Sequence, residues 1–211
     1  MKYTVFDIET VAAPDDQLPV FDTTSVAVGN LKDPAKIKAK IDEASAEWRD
    51  TLALSPMTGQ VAMVGFLDQD DDLTILDGAE IDIVSAGLDR IAQTILSGGC
   101  AVGFNCLSFD MPFLLRRAYK LGLKLSPYFR TRSRGRSYWH ENIIDLRDEW
   151  LMGDRSPAKG TTSLAAIAAF LGLPEKLGDG KDFAGLTADQ RKAYLQHDLE
   201  ITKELCCRII P

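Results

Sequence analysis

Histidine is scarce in this chain: only His140 and His197 are present, so a histidine-rich zinc site is excluded as the organising feature. The four cysteines (Cys100, Cys106, Cys206 and Cys207) form no CxxC pair. They read as reduced thiols in the core or at the surface. No apolar run reaches the length of a membrane span, and the first residues show no basic-then-apolar leader. The expected location is therefore cytoplasmic, with no membrane partner. A net charge of −7 argues against a general nucleic-acid coat protein. Acidic residues are, however, missing entirely between Met111 and His140. That stretch holds Arg116, Arg117, Lys120, Lys124, Arg130, Arg132, Arg134 and Arg136, interleaved with Tyr119, Tyr128, Phe129, Tyr138 and Trp139. Such a stretch suits an unpaired strand whose bases stack; equally it is a solvated helix face followed by a loop.

What is present is an ordinary globular composition. The chain has 211 residues, 45% of them hydrophobic and 26% charged, which favours a single core over two small ones. The expectation is one domain over 1–211, with residues 11–57 inserted after the first strand. Residues 3–8 predict a short apolar strand. Its side chains alternate faces, so Asp7 and Glu9 project from one side, roughly 6–7 Å apart. Two carboxylates on one apolar strand are costly. A divalent ion removes that cost; the plainer alternative is the wet end of an edge strand.

Further along, Asp33 caps a helix within 33–54 that begins with Pro34 and is patterned by Ile37, Ile41, Ala44, Trp48 and Leu52. Strands are predicted over 60–67 and 73–76, joined across Asp68–Asp72, where a hairpin turn is favoured over a calcium loop. A helix over 83–96 closes at Gly98-Gly99, followed by a strand over 100–104 and a helix over 109–121 ended by Gly122. A strand over 142–144 leads to Asp145, read as a helix cap or a fifth acid. Thr161 or Thr162 caps a helix running to Leu171. After a Gly178-Asp179-Gly180 turn, a last helix occupies about 187–209. This order predicts a mixed α/β sheet with helices on both faces.

Two further carboxylates stand out. Asp110 follows Asn105-Cys106-Leu107-Ser108-Phe109 at the start of a helix, where a dipole-favoured cap is sufficient explanation for it alone. Asp198 lies one helical turn after Tyr194 on the last helix; a surface acid beside a half-buried tyrosine would look the same.

Phe6-Asp7-Ile8-Glu9-Thr10, Asn105 to Asp110, and Tyr194 to Asp198 together resemble, in order, the three motifs of the DEDD 3′–5′ exonucleases of the ribonuclease H-like superfamily. Tyrosine four residues before the last aspartate is the mark of the tyrosine subclass. The wording Gly103-Phe104-Asn105 through Phe109-Asp110-Met111-Pro112-Phe113 is most similar to the exonuclease domain of family B DNA polymerases. The resemblance implies a ribonuclease H-like fold and two divalent ions, Mg2+ or Mn2+, about 4 Å apart. It implies that Asp7 bridges both, that Glu9 and Asp198 complete one, and that Asp110 acts on the other. Tyr194 would orient the attacking water, and Thr10 and Asn105 would touch the terminal nucleotide. The implied activity is release of nucleoside monophosphates from 3′ ends of single-stranded DNA, with replication or repair proteins as partners. The basic, aromatic stretch, Arg132 and Arg134 within it, is read as holding the strand. This arginine-rich loop and the 11–57 insertion are where the chain departs from the polymerase-linked domains. An exoribonuclease and a catalytically silent nucleic-acid-binding module are the alternatives.

Overall fold

The structure is a computed structural model that describes residues 2–126, 129, 141–178 and 180–210. The chain forms two compact units, Met1–Glu9 with Val61–Pro211, and Thr10–Gln60.

In the first unit the hydrophobic alternation of the strands and the apolar stripes of the helices meet in one layered core. The sheet has five strands: β1 (Tyr3–Ala12), β2 (Gly59–Asp68), β3 (Leu73–Asp77), β4 (Cys100–Gly103) and β5 (Ile143–Asp145), in the order β3-β2-β1-β4-β5. β2 and β3 are antiparallel, whereas β1–β4 and β4–β5 are parallel. The sheet is therefore mixed. β1 is its central strand, which removes the edge-strand explanation of Asp7 and Glu9. It is also longer than the sequence predicts, so both acids lie within the strand rather than at its end.

Helices cover both faces. Adjacent residues of a strand point to opposite sides. Val64 meets Gly87 of α2 (Glu80–Leu96), while Gly65 faces Leu195 and Leu199 of the long C-terminal helix. Further α-helices are α1 (Pro34–Thr51), α3 (Asp110–Lys120), α4 (Leu146–Leu151), α5 (Leu164–Leu171) and α6 (Ala188–Ile209). Among the described residues no helix is long and apolar enough to cross a membrane.

Local signals explain most boundaries. Thr187 and Gln190 form a reciprocal capping box at the start of α6. Asp145 caps α4 by accepting the Arg147 N–H at 3.0 Å, as the cap reading expected. The α4 helix itself, six residues long, had no periodic signal of its own. Ser163, not Thr161 or Thr162, caps α5; the Thr161 hydroxyl instead donates to the Ala158 carbonyl. The 68–72 segment is a hairpin turn with Asp71 at φ +66°. The Asp68 carboxylate accepts the N–H groups of Asp70 and Asp72, and Lys203 grips the turn through Asp68 O and Asp71 Oδ1. All four cysteines are free thiols.

The second unit carries α1, capped by Asp33 with Pro34 in its first turn. Phe21 packs on Trp48 with ring centroids 5.4 Å apart. The Thr10 hydroxyl donates to the Ala53 carbonyl at 2.8 Å and the Thr58 hydroxyl to Leu52. The 11–57 segment falls within this unit.

One of the arginines read as a strand contact has a different job. Arg117 is 1% exposed, and its Nε and Nη2 donate to Glu80 at 2.7 and 2.6 Å. Glu80 also accepts the Val61 N–H at 2.8 Å. This fork ties α2, α3 and β2 together and takes Arg117 out of any nucleic-acid surface. Arg116, Lys120 and Lys124 are exposed; Arg130, Arg132, Arg134, Arg136, Tyr128, Tyr138, Trp139 and Asp179 lie outside the described residues. Glu80→Ala takes its carboxylate away from a buried guanidinium, and urea unfolding should show a loss of about 3–5 kcal/mol, largely recovered when Arg117→Leu is added.

Candidate active site

Three strands deliver the site. β1, β4 and β5 run parallel, so their carboxyl ends lie at one edge of the sheet, where open α/β sheets place their ligand crevice. β1 brings Asp7 and Glu9 there. β4 ends at Gly103, where an added methyl would lie 2.6 Å from Cys106 Cβ and 3.2 Å from the Phe6 carbonyl. Only glycine lets the following loop fold back this tightly.

Asn105 then takes a left-handed conformation, φ +59°, which asparagine tolerates better than most residues. Its N–H and that of Leu107 donate to the two Asp145 oxygens at 2.8 and 2.9 Å. Asp145 thus caps α4 and fixes the 105–107 loop at once, and its carboxyl is pushed up by burial against the pull of these N–H bonds. The loop places Asp110 in the first turn of α3, 2% exposed, where it accepts the Ile8 N–H at 3.1 Å.

The last acid comes from α6. Leu195 and Leu199 are fully buried and seat the helix on the sheet, which turns Tyr194 and Asp198 toward β1. Ligand atoms of Asp7, Glu9 and Asp198 lie within 4.8 Å of one another. Asp110 joins the set through the Ile8 N–H, between Asp7 and Glu9, and through its electrostatic coupling to Asp7.

Electrostatically the arrangement is strained without a cation. Burial, then Asp198, pushes Asp7 up to about 7. Burial, then Asp7 and Asp198, pushes Glu9 up to about 9. Burial and Asp7 hold Asp110 well above the carboxylate range. Burial raises Asp198 too, partly offset by a cation that carries no motif signal: Lys176, whose Nζ is 2.8 Å from Asp198 Oδ2. Burial pulls Lys176 down, but Asp198 outweighs it and the ammonium is held above its ordinary value.

Two buried polar atoms, Tyr194 Oη and Asp198 Oδ1, have no hydrogen-bond partner among the described residues. Buried polar atoms are normally satisfied. An all-oxygen donor set with an orphaned carboxylate oxygen fits a hard divalent cation. Such binding releases the protons the acids hold.

Asp7, Glu9, Asp110, Tyr194 and Asp198, the residues expected from the sequence, lie together in the structure. Thr10 follows Glu9 on β1 with its hydroxyl engaged by Ala53. Arg132 and Arg134 lie outside the described residues. Lys176 was missed because nothing in its linear spacing ties it to Asp198. His197, next to Asp198 in sequence, turns away and meets the Glu175 carbonyl through Nε2 at 2.7 Å.

Residues 59–199 match the family described as "Predicted 3'-5' exonuclease related to the exonuclease domain of PolB". The chain belongs to that family. The mixed five-stranded sheet is the ribonuclease H-like fold of the family B polymerase exonuclease domain. The family B DNA polymerase from the hyperthermophilic archaeon Pyrobaculum calidifontis superposes over 100% of this chain with a TM-score of 0.63 and 16% identity. The chain spans 24% of that polymerase. The sequence matches no curated protein.

Proposed function

We propose that the chain is a metal-dependent 3′–5′ exonuclease of the tyrosine DEDD subclass, releasing nucleoside monophosphates from single-stranded DNA ends. The carrying observation is the triad Asp7, Glu9 and Asp198 gathered within 4.8 Å at the carboxyl end of the sheet. Within it, Asp198 Oδ1 is buried with no hydrogen-bond partner among the described residues.

Asp7, Glu9 and Asp198 would hold a divalent ion, with Asp110 supporting a second through Asp7. Bound ions supply a lowered water pKa and charge stabilisation on the scissile phosphate. The protein's own contribution is placement. Burial pushes the Tyr194 phenol up to about 12, so it keeps its proton and orients water by hydrogen bonding rather than acting as a base. The Phe183 ring, 5.9 Å away by centroid, packs edge-on and fixes the phenol's position. Asp145 holds the loop that delivers Asp110. Tyr194→Phe should therefore lower kcat roughly 10²-fold while leaving Mn2+ affinity unchanged, which equilibrium dialysis checks.

The reaction is tested with a 5′-labelled single-stranded DNA oligonucleotide in Mg2+, in Mn2+ and in chelator, alongside a matched RNA and a 3′-blocked DNA. A metal-dependent ladder shortening from the 3′ end, and lost on blocking, is the expected result. A ladder from RNA alone would make the chain an exoribonuclease. Binding without cleavage in either metal would overturn the enzymatic reading.

A further inference from the structure

The acid cluster already contains a cation. Lys176 Nζ lies 2.8 Å from Asp198 Oδ2, with the lysine side chain 25% and the aspartate 4% exposed. The same ammonium sits 5.3 Å from the centre of the Tyr194 ring. Its charge reaches the other two acids, lowering the pKa of both Asp7 and Glu9. The segment carrying it is anchored just before the lysine. His197 of α6 meets the Glu175 carbonyl at 2.7 Å, and the Leu173 N–H donates to Ala168 at the end of α5.

Resting on the metal-site reading above, we propose that Lys176 is a resident surrogate cation: its ammonium holds the Asp198 side of the metal site, and a divalent ion binds in competition with it. Three carboxylates whose oxygens approach within 4.8 Å repel one another unless a positive charge or bound protons intervene. Lys176 supplies that charge from within the chain. An ion entering beside a fixed ammonium is repelled by it, so the lysine leaves Asp198 as the ion arrives. Its flexible stem and quarter-exposed side chain leave it free to move. The metal-free fold is protected, and the metal concentration needed to fill the site is raised. If Lys176 served only to orient Asp198 for the ion, removing it would have the opposite sign and weaken metal binding.

The test is a Mn2+ titration followed by electron paramagnetic resonance of free Mn2+, without nucleic acid, on wild type, Lys176→Met, Lys176→Gln and Asp7→Asn. Both Lys176 variants should bind Mn2+ about tenfold tighter than wild type, the sign and scale expected on removing a unit charge a few ångströms from a divalent ion. In chelator the same variants should melt cooperatively but at lower temperature. Equal or weaker Mn2+ binding by both variants would overturn the inference while Asp7→Asn still abolished binding. If Asp7→Asn bound Mn2+ as wild type does, the metal-site reading would fall, and this inference with it.

Discussion

Asp7→Asn should abolish hydrolysis and at the same time make the metal-free protein more stable. Both outcomes come from one carboxylate. Asp7 is grouped with Glu9 and Asp198, so it would touch an ion bound there. Removing it should cost about 10³-fold or more in kcat, comparable with the loss of a preorganised group at the reacting centre. In the absence of metal the same charge is a liability. Burial and Asp198 raise its folded pKa to about 7, above the unfolded value near 3.9. The folded state therefore holds the proton more tightly. No penalty exists below the unfolded value, where both states are protonated, and the penalty grows as pH rises and is complete above the folded value.

In chelator, wild-type stability should accordingly fall between about pH 4 and pH 9, the upper end set by Glu9 at about 9. Asparagine is isosteric and neutral, so at pH 8.5 the variant should gain about 1–3 kcal/mol, the coupled acids sharing part of the effect. Saturating Mn2+ should erase the wild-type slope, because an ion that binds only the folded state stabilises it by mass action. Thermal melts at pH 6 and 8.5, with chelator and with Mn2+, check every part. A variant that melts lower than wild type at pH 8.5 in chelator, or that keeps its nuclease activity, would sink the assignment.

How much of this was legible in the sequence depends on whether a feature is local or assembled. Asp7 and Glu9 on one strand face, and Tyr194 and Asp198 one turn apart, are consequences of period 2 and period 3.6 alone. Capping by Asp33 and Thr187 is local chemistry. The sheet order and the central position of β1 are not local, and only pairing shows that Asp7 lies in the middle of the sheet. Arg117 looked like its exposed neighbour Arg116, because a run of basic residues does not show which of them points inward at Glu80. Lys176 sits in a connecting segment after α5 without periodicity or motif, so its pairing with Asp198 could emerge only from the folded chain. Asp145 was half legible: its cap to α4 follows from position, its grip on Asn105 and Leu107 from the parallel pairing of β4 with β5.

Gly65→Val should disable the site from a distance by lifting α6 off the sheet. A methyl at Gly65 would lie 2.6 Å from Leu199 Cδ1 and 2.9 Å from Leu195 Cγ. Both leucines are fully buried, leaving neither room to retreat. These residues are the immediate neighbours of Tyr194 and Asp198, so any outward shift of the helix carries the phenol and the carboxylate away from Asp7 and Glu9. Overpacking of this kind costs roughly 1–3 kcal/mol. A displacement of about 1 Å at a reacting centre costs about 10²-fold in rate. Gly87→Ala is the control on the opposite face. Its methyl would lie 3.4 Å from Val64 Cγ2, an ordinary contact, and alanine is about 1 kcal/mol the better helix former. Gly87→Ala should therefore fold with unchanged or higher stability and full activity. Gly65→Val should remain folded at low temperature by circular dichroism, lose about 10²-fold in kcat and bind Mn2+ more weakly. If Gly65→Val retained both rate and metal affinity, the close approach of α6 to β2 could not be what assembles the three carboxylates, and another element would have to hold Asp198 in place.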